Sequence, residues 1–214
     1  MARITIIGGH GKVALLLAPL LVEAGHDVTS VIRNPEHEQD VARTGARPVV
    51  ADVAASDLDA LTDLLADSDA VVWSAGAGGG SPERTYAVDR DAAIRSIDAA
   101  VAAEARRYVM VSYFGAGPDH GVDPADGFYA YAEAKAAADE HLRGADLDWT
   151  IVAPSALTLD EPTGRIDARA EEGSSVSRAD VAAVIAAALT EPATIGRTVS
   201  FNTGDVPIAE AIRP

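Results

Sequence analysis

Short apolar runs rich in β-branched residues alternate with longer amphipathic stretches along the chain. RITIIGG (3–9) is apolar on both of its faces and ends in glycines, as a strand buried on both sides does. A helical stretch from about Gly11 to Ala24 follows, with Gly25 as its stop. Pro19 falls inside it and predicts a kink, because proline removes a helix hydrogen bond. HDVTSVIRN (26–34) and RPVVADV (47–53) read as the second and third strands, LDALTDLLAD (58–67) as a short helix and DAVVWSAG (69–76) as the fourth strand. Residues 82–105 predict one long helix, RRYVMVSYFG (106–115) a fifth strand and FYAYAEAKAAADEHLRGA (128–145) another helix. LDWTIVAPS (147–155) is a sixth strand. Ser177 is the expected N-cap of a helix over 177–192, with Asp180 three residues on as an acidic variant of the capping box. GRTVSFN (196–202) is the last strand.

This alternation predicts the α/β class, a doubly wound, mostly parallel Rossmann-type sheet in a single domain. Residues 1–214 read as one nucleotide-binding unit, with small C-terminal elements shaping a substrate pocket. No linker divides the chain and no repeat is apparent. The loops 76–83 and 117–127 both follow strand ends. Ligands of open α/β sheets bind beyond the carboxyl ends of strands, so these loops are the expected pocket rim.

Composition narrows the partners. The 214-residue chain carries a formal charge of −16 and no cysteine. That charge argues against nucleic acid and anionic membranes, both of which need clustered cations. Asp outnumbers Glu and only two of the 17 basic residues are lysines, which is expected of either a GC-rich genome or a surface adapted to high salt. Disulfides and thiolate chemistry are excluded. MARITIIGG lacks the apolar run of a signal peptide, and VALLLAPLLV (13–22) is too short to span a bilayer. A cytoplasmic protein acting on a small molecule, as monomer or homodimer, is expected. The histidines at 10, 26, 37, 120 and 141 show no ligand spacing, so no metal site is expected.

IIGGHGKVA places Gly8, Gly11 and Ala14 at the spacing of a dinucleotide-binding turn between a first strand and a first helix. Gly8 permits the tight turn, Gly11 the approach of a pyrophosphate, and Ala14 close packing of helix on sheet. The helix N-terminus, with Val13, then presents free N–H groups to the phosphates, and Lys12 is expected to add charge near a phosphate of the coenzyme. His10 lies in the same loop, where it contacts phosphate or stays solvated. At the end of the second strand stand Arg33 and Asn34, with no carboxylate before Glu36. A guanidinium suits a 2′-phosphate, which favours NADP(H) over NAD(H). Asp52 and Val53 are placed to meet the adenine, and Ser74, Ala75 and Gly76 supply small residues beside the adenosine half.

Together IIGGHGKVA, VIRNPE, ADV, VVWSAGAGGG, YVMVSYFGAG, YAEAK, LDWTIVAPSALT and SRADVAAVIAAAL resemble the short-chain dehydrogenase/reductase superfamily. The likeness is closest to its atypical NmrA-like and biliverdin/flavin-reductase-like branch. It implies a Rossmann-type fold holding NADP(H). It also implies that Tyr131 exchanges a proton with the substrate oxygen, that Lys135 lowers the tyrosine pKa and binds the nicotinamide ribose, and that Ser112 positions the oxygen. Tyr131 and Lys135 are i,i+4 and share a helix face. Two departures stand out: Tyr113 occupies a place where many relatives carry a second hydroxyl residue, and Ala153 one where many carry arginine. Phe114, Phe128 and Tyr129 are candidates for an apolar wall, and His120 for a substrate-facing group.

These residues suggest an NADPH-dependent reductase of a small carbonyl, quinone-like or flavin-like compound. The alternatives are a redox sensor that binds NADP(H) without turnover and, third, a nucleotide-sugar epimerase or dehydratase.

Overall fold

The computed structural model describes residues 1–79 and 81–214; Gly80, within the rim loop expected over 76–83, lies outside them. The strands are β1 (Arg3–Ile7), β2 (Asp27–Ile32), β3 (Arg47–Val50), β4 (Ala70–Trp73), β5 (Arg107–Val111), β6 (Asp148–Pro154), β7 (Ala156–Thr158), β8 (Arg165–Asp167), β9 (Ser175–Ser177), β10 (Arg197–Thr203) and β11 (Val206–Pro207). Nine of them form one sheet in the order β11-β8-β10-β6-β5-β4-β1-β2-β3, and β7 pairs with β9 apart from it. From β3 to β10 every pairing in the large sheet is parallel, while β8 and β11 add antiparallel strands at one end. β1 lies between β2 and β4, so chain direction across the sheet reverses there. That switch point opens a crevice above the carboxyl ends of β1 and β4.

The helices are α1 (Ala14–Glu23), α2 (Glu38–Ala42), α3 (Leu58–Leu65), α4 (Pro82–Thr85), α5 (Ala93–Ala102), α6 (Tyr129–Gly144), α7 (Arg178–Thr190) and α8 (Ile208–Ala211). Successive side chains of a strand point to opposite faces, and the core divides accordingly. Ile4, Ile6 and Val72 join Leu17 and Leu21 of α1 and Val181 and Ile185 of α7 on one face. Ile7, Val71 and Trp73 join Leu61 of α3, Ile97 of α5 and Leu142 of α6 on the other. α1 buries Ala14, Leu17, Ala18 and Leu21, an i, i+3, i+4, i+7 stripe, and continues through Pro19. Each buried leucine contributes about 1.5–3 kcal/mol. Among the described residues no helix is long and apolar enough to cross a membrane.

The strands and helices read from the sequence follow in the expected order, α2, β7, β8, β9, β11 and α8 being additional to them, and several expected strand ends fall earlier. The third strand ends at Val50 rather than Val53, the fourth at Trp73 rather than Gly76, and the fifth at Val111 rather than Gly115. Beyond those points single bonds to the neighbouring strand persist, such as Ser74 N–H to Ile7 O and Ser112 N–H to Val152 O, but the regular ladder ends. Asp52 Oδ1, for example, accepts from the Ala54 N–H at 3.1 Å and holds a turn. The first helix likewise starts at Ala14, because residues 8–13 form turns.

The single helix expected over 82–105 is instead α4, a π-helical segment over Tyr86–Ala92, and α5. A π-turn inserts a residue into a helix and re-aims its side chains, and such turns are frequent at functional sites. Ser177 does cap α7, accepting from the Asp180 N–H at 3.0 Å. The Asp180 carboxylate does not return to the cap backbone. It accepts from the N–H groups of Thr163 and Gly164 at 3.0 and 2.8 Å, tying the C-terminal extension to α7.

The two edges of the sheet end on proline-bearing strands. β3 contains Pro48, and β11 is Val206–Pro207. The Ala51 N–H donates to Ile32 O at 2.9 Å. Donors in a parallel strand alternate sides, so Pro48, three residues earlier, has its ring nitrogen on the outer side.

Candidate active site

The glycine turn after β1 is built by close backbone contact. Gly8 has φ +86°, and a Cβ there would lie 2.5 Å from Ala75 Cα. A Cβ on Gly9, a residue the sequence motif did not include, would lie 2.5 Å from Ser30 Cβ. The N–H groups of Gly8 and Gly9 both donate to Val31 O, at 3.1 and 2.8 Å. α1 then begins with Val13 as N-cap and no side-chain cap. Among the described residues the N–H groups of Lys12, Val13 and Ala14 have no protein acceptor. Free N–H donors and the positive end of a helix dipole form an anion site, so the loop fits a pyrophosphate.

Beside this turn is a cleft of about 230 Å³ lined by Gly8, His10, Gly11, Arg33, Asn34, Asp52, Val53, Ser74, Ala75 and Gly76. Arg84 and His37, which the sequence reading passed over, also line it. Neither Arg33 nor Arg84 forms an ion pair among the described residues. In a chain of charge −16 two uncommitted guanidiniums at one cleft form an anion-attracting rim. His10 stacks on His37 at a centroid distance of 3.6 Å, and its Nε2 lies 3.2 Å from Asp40 Oδ2.

A second cavity of about 760 Å³ shares Gly11, Ser74, Ala75 and Gly76 with the first, so the two adjoin across those residues. Its wall carries Lys12, Val13, Asp89, Ser112, Phe128, Tyr131, Leu157 and Arg178. The rings of Tyr113, Phe128 and Tyr131 form a cluster with centroids 5.2–5.6 Å apart. Tyr129 packs instead on His120, whose Nε2 lies 2.9 Å from Glu133 Oε1. His120 and Tyr129 are not on the cavity wall.

Beneath that wall lies a buried polar cluster. Tyr131, Lys135 and Asp139 occupy positions i, i+4 and i+8 of α6, hence one face. Lys135 is 1% exposed, with its Nζ donating to Val111 O at 2.7 Å and lying 3.3 Å from Met110 Sδ. Asp89, from the π segment, accepts from the Ala77 N–H at 3.0 Å and so anchors the loop after β4. Ser112 Oγ donates to Asp139 Oδ2 at 2.5 Å, while Asp139 Oδ1 has no partner among the described residues. Burial raises the pKa of both carboxyl groups and lowers that of Lys135, with the Lys135 charge acting against the carboxyl shifts.

This arrangement departs from the sequence expectation for the pair. The Tyr131 hydroxyl is pushed above its ordinary range, first by burial and then by the charges of Asp89 and Asp139. No hydrogen bond joins Tyr131 to Lys135 among the described residues, and Lys135 faces a backbone carbonyl rather than the cavity. Burial, reinforced by the two carboxylates, holds the phenol in its protonated form.

Of the expected site residues, Tyr131, Ser112, Lys12 and Val13 meet at the large cavity and Gly8, His10, Arg33, Asn34, Asp52 and Val53 at the small one. Gly11, Ser74, Ala75 and Gly76 join the two, and Lys135 lies behind the wall. Asp89, Asp139, Arg84 and Arg178 had no place in the sequence reading. The i+4 spacing from Lys135 to Asp139 was the available signal for one of them. Among the described residues no group of three or more His, Asp or Glu side chains is placed to hold a metal.

Comparison with known proteins gives a consistent family. The profile described as NAD(P)H-binding matches residues 8–192. A Bacillus subtilis protein named as an uncharacterized sugar epimerase is 31% identical, over 99% of both chains. A solved Bacillus halodurans structure, provisionally named an NAD-dependent epimerase/dehydratase, superposes with a TM-score of 0.90 at 34% identity over 99% of each chain. The Lactococcus lactis oxidoreductase ylbE superposes at 0.87 with 29% identity, covering 98% of this chain and 94% of its own. In fold alone the chain is also similar to the Escherichia coli anaerobilin reductase ChuY, with a TM-score of 0.78 at 23% identity over 95% of this chain and 98% of that one. With a pyrophosphate-type cradle at the switch point and a profile match across most of its length, this chain belongs to the NAD(P)H-binding family of Rossmann-fold proteins.

Proposed function

We propose that the protein is an NADP(H)-dependent oxidoreductase that reduces a small carbonyl, quinone-like or flavin-like acceptor. The observation that carries this reading is the adjacency of the two cavities at Gly76, with Arg33 and Arg84 around the first and Tyr131 and Ser112 on the wall of the second. The N–H groups at the start of α1 would hold the pyrophosphate, and Arg33 with Asn34 the 2′-phosphate. When bound, the reduced coenzyme supplies a hydride. Tyr131 donates a proton to the acceptor oxygen. Its raised pKa keeps the phenol protonated, the form a reduction starts from, while making it a weaker proton donor than a free phenol. Phe128, with Tyr113 packed behind it, offers flat apolar surface to a conjugated acceptor.

The test is coenzyme oxidation with a panel of quinones, flavins and aldehydes, for wild type and Tyr131→Phe. Turnover lost in the variant with coenzyme binding intact supports the reading. Tight binding with no turnover of any acceptor supports the second reading, a redox sensor. One observation favours the sensor: the Lys135 ammonium and the Ser112 hydrogen are both engaged by protein groups. The epimerase name of the Bacillus subtilis relative adds a third outcome, conversion of a nucleotide sugar without net coenzyme consumption.

A further inference from the structure

We propose that Asp139 is a positioning residue whose proton decides which way the Ser112 hydroxyl points, so that Ser112 donates to a substrate oxygen only while Asp139 is protonated. The inference rests on the oxidoreductase reading above and gives a role to a side chain that reading leaves unused. A serine hydroxyl has one hydrogen and two lone pairs. Here the hydrogen goes to Asp139 Oδ2 at 2.5 Å. Ser112 lines the large cavity, so the side it turns to a ligand carries lone pairs only. Lone pairs oppose the negative charge that develops on a carbonyl oxygen as it accepts a hydride, whereas an O–H stabilises it.

A proton on Asp139 reverses this arrangement. The carboxyl O–H then donates to Ser112 Oγ, and the serine hydrogen turns to the cavity. Only hydrogens move. The proton belongs on Oδ2, because on Oδ1 it would be a buried donor with no acceptor among the described residues. The surroundings favour its uptake. Asp139 is fully buried, and Asp89 and Asp139 share the one ammonium of Lys135. The other groups facing the cluster are the phenols of Tyr113 and Tyr131 and, more distantly, Arg143, which is engaged with Glu140 at 3.2 Å. Two buried carboxyl groups beside one cation hold a proton more readily than either alone.

The consequence is a pH limb with a definite sign. Reduction is fastest below the Asp139 pKa and falls as pH rises through it. The experiment compares pH profiles of kcat/KM for reduction in wild type, Asp139→Asn and Ser112→Ala. The asparagine amide cannot ionise and donates to Ser112 permanently. Wild type should lose about tenfold per pH unit above the pKa, and D139N should vary less than about twofold across that interval. S112A should be about 10²–10³-fold slower with the limb gone, and it carries the test should D139N not fold.

Infrared difference spectra of the coenzyme-free protein add a readout that needs no turnover. A protonated carboxyl band should vanish as pH rises and be missing from D139N. A wild-type limb retained in D139N or S112A overturns the proposal, as does flattening by Asp89→Asn alone. NADPH binding with no wild-type turnover at any pH overturns the oxidoreductase reading and this inference together. Turnover with an unchanged D139N profile overturns this inference alone.

Discussion

Lys135→Met isolates the charge at the centre of the buried cluster. Methionine keeps an unbranched side chain of good helix propensity and removes the ammonium. In the wild type that ammonium is 1% exposed and faces Asp89 and Asp139, which are 1% and 0% exposed. The variant leaves two buried carboxyl groups without a counter-charge and Val111 O without its 2.7 Å donor. Among the described residues no carboxylate lies within ion-pair distance of Lys135, so the loss is that of a buried carbonyl's donor plus longer-range attraction, about 1–3 kcal/mol. For a chain of this length each kcal/mol lowers the melting temperature by about 2–4 °C, so a fall of about 2–12 °C is expected near neutral pH.

The sign of the pH dependence follows from the carboxyl groups. Without the ammonium their folded pKa values lie still further above the unfolded ones. The penalty is therefore absent below the unfolded pKa and grows as pH rises toward the folded values, by at most about 1.4 kcal/mol per pH unit for each group. Thermal unfolding followed by circular dichroism from about pH 8 down to about pH 5 should show the gap to wild type narrowing. A variant that melts with wild type throughout, or a gap that widens on acidification, would refute the assignment of Lys135 as counter-ion to this pair.

Gly8→Ala places a Cβ 2.5 Å from Ala75 backbone atoms at φ +86°, so a loss of about 2–5 kcal/mol and weaker NADPH binding are expected; unchanged melting would contradict the close approach. Arg33→Ala should raise the NADPH dissociation constant about 10–100-fold and leave that for NADH within about twofold, by titration of coenzyme fluorescence. Equal losses for both coenzymes would remove the 2′-phosphate assignment. Arg107 is mostly buried, with its pKa lowered to about 10 by burial. It donates to Thr150 Oγ1 at 2.8 Å and to Ala188 O, at the carboxyl end of α7, at 2.7 Å. Arg107→Met should cost about 2–4 kcal/mol, read as a lower denaturant midpoint, and a midpoint equal to wild type would show those bonds to be net neutral.

The alternation of runs was enough to reveal the parallel sheet, because strands buried on both faces are continuously apolar and short. The glycine turn was legible for a related reason: Gly8 at φ +86° is needed for a backbone contact that any side chain would block. The π segment was not, since Tyr86–Ala92 keeps the spacing of an ordinary helix and the extra residue shows only in three dimensions. β7, β8, β9 and β11 escaped because runs of two or three residues carry too little periodicity, and their partners lie well away along the chain. Within the site, Tyr131, Lys135 and Ser112 could be read off as a set. Asp139 could not: in AAADEH an acidic residue looks like a wetted position of an alanine-rich helix, and only the crossing of α6 over the end of β5 seals it.

The prolines at the two borders of the sheet have a bearing on how copies of this protein meet. Pro48 leaves a gap in the outward row of donors along one border, and the opposite border stops after two residues at Pro207. A foreign strand would find little to zip onto at either side. Recruitment of extended peptides and ribbon-like stacking are thereby discouraged, and any pairing between molecules falls to the helical flanks.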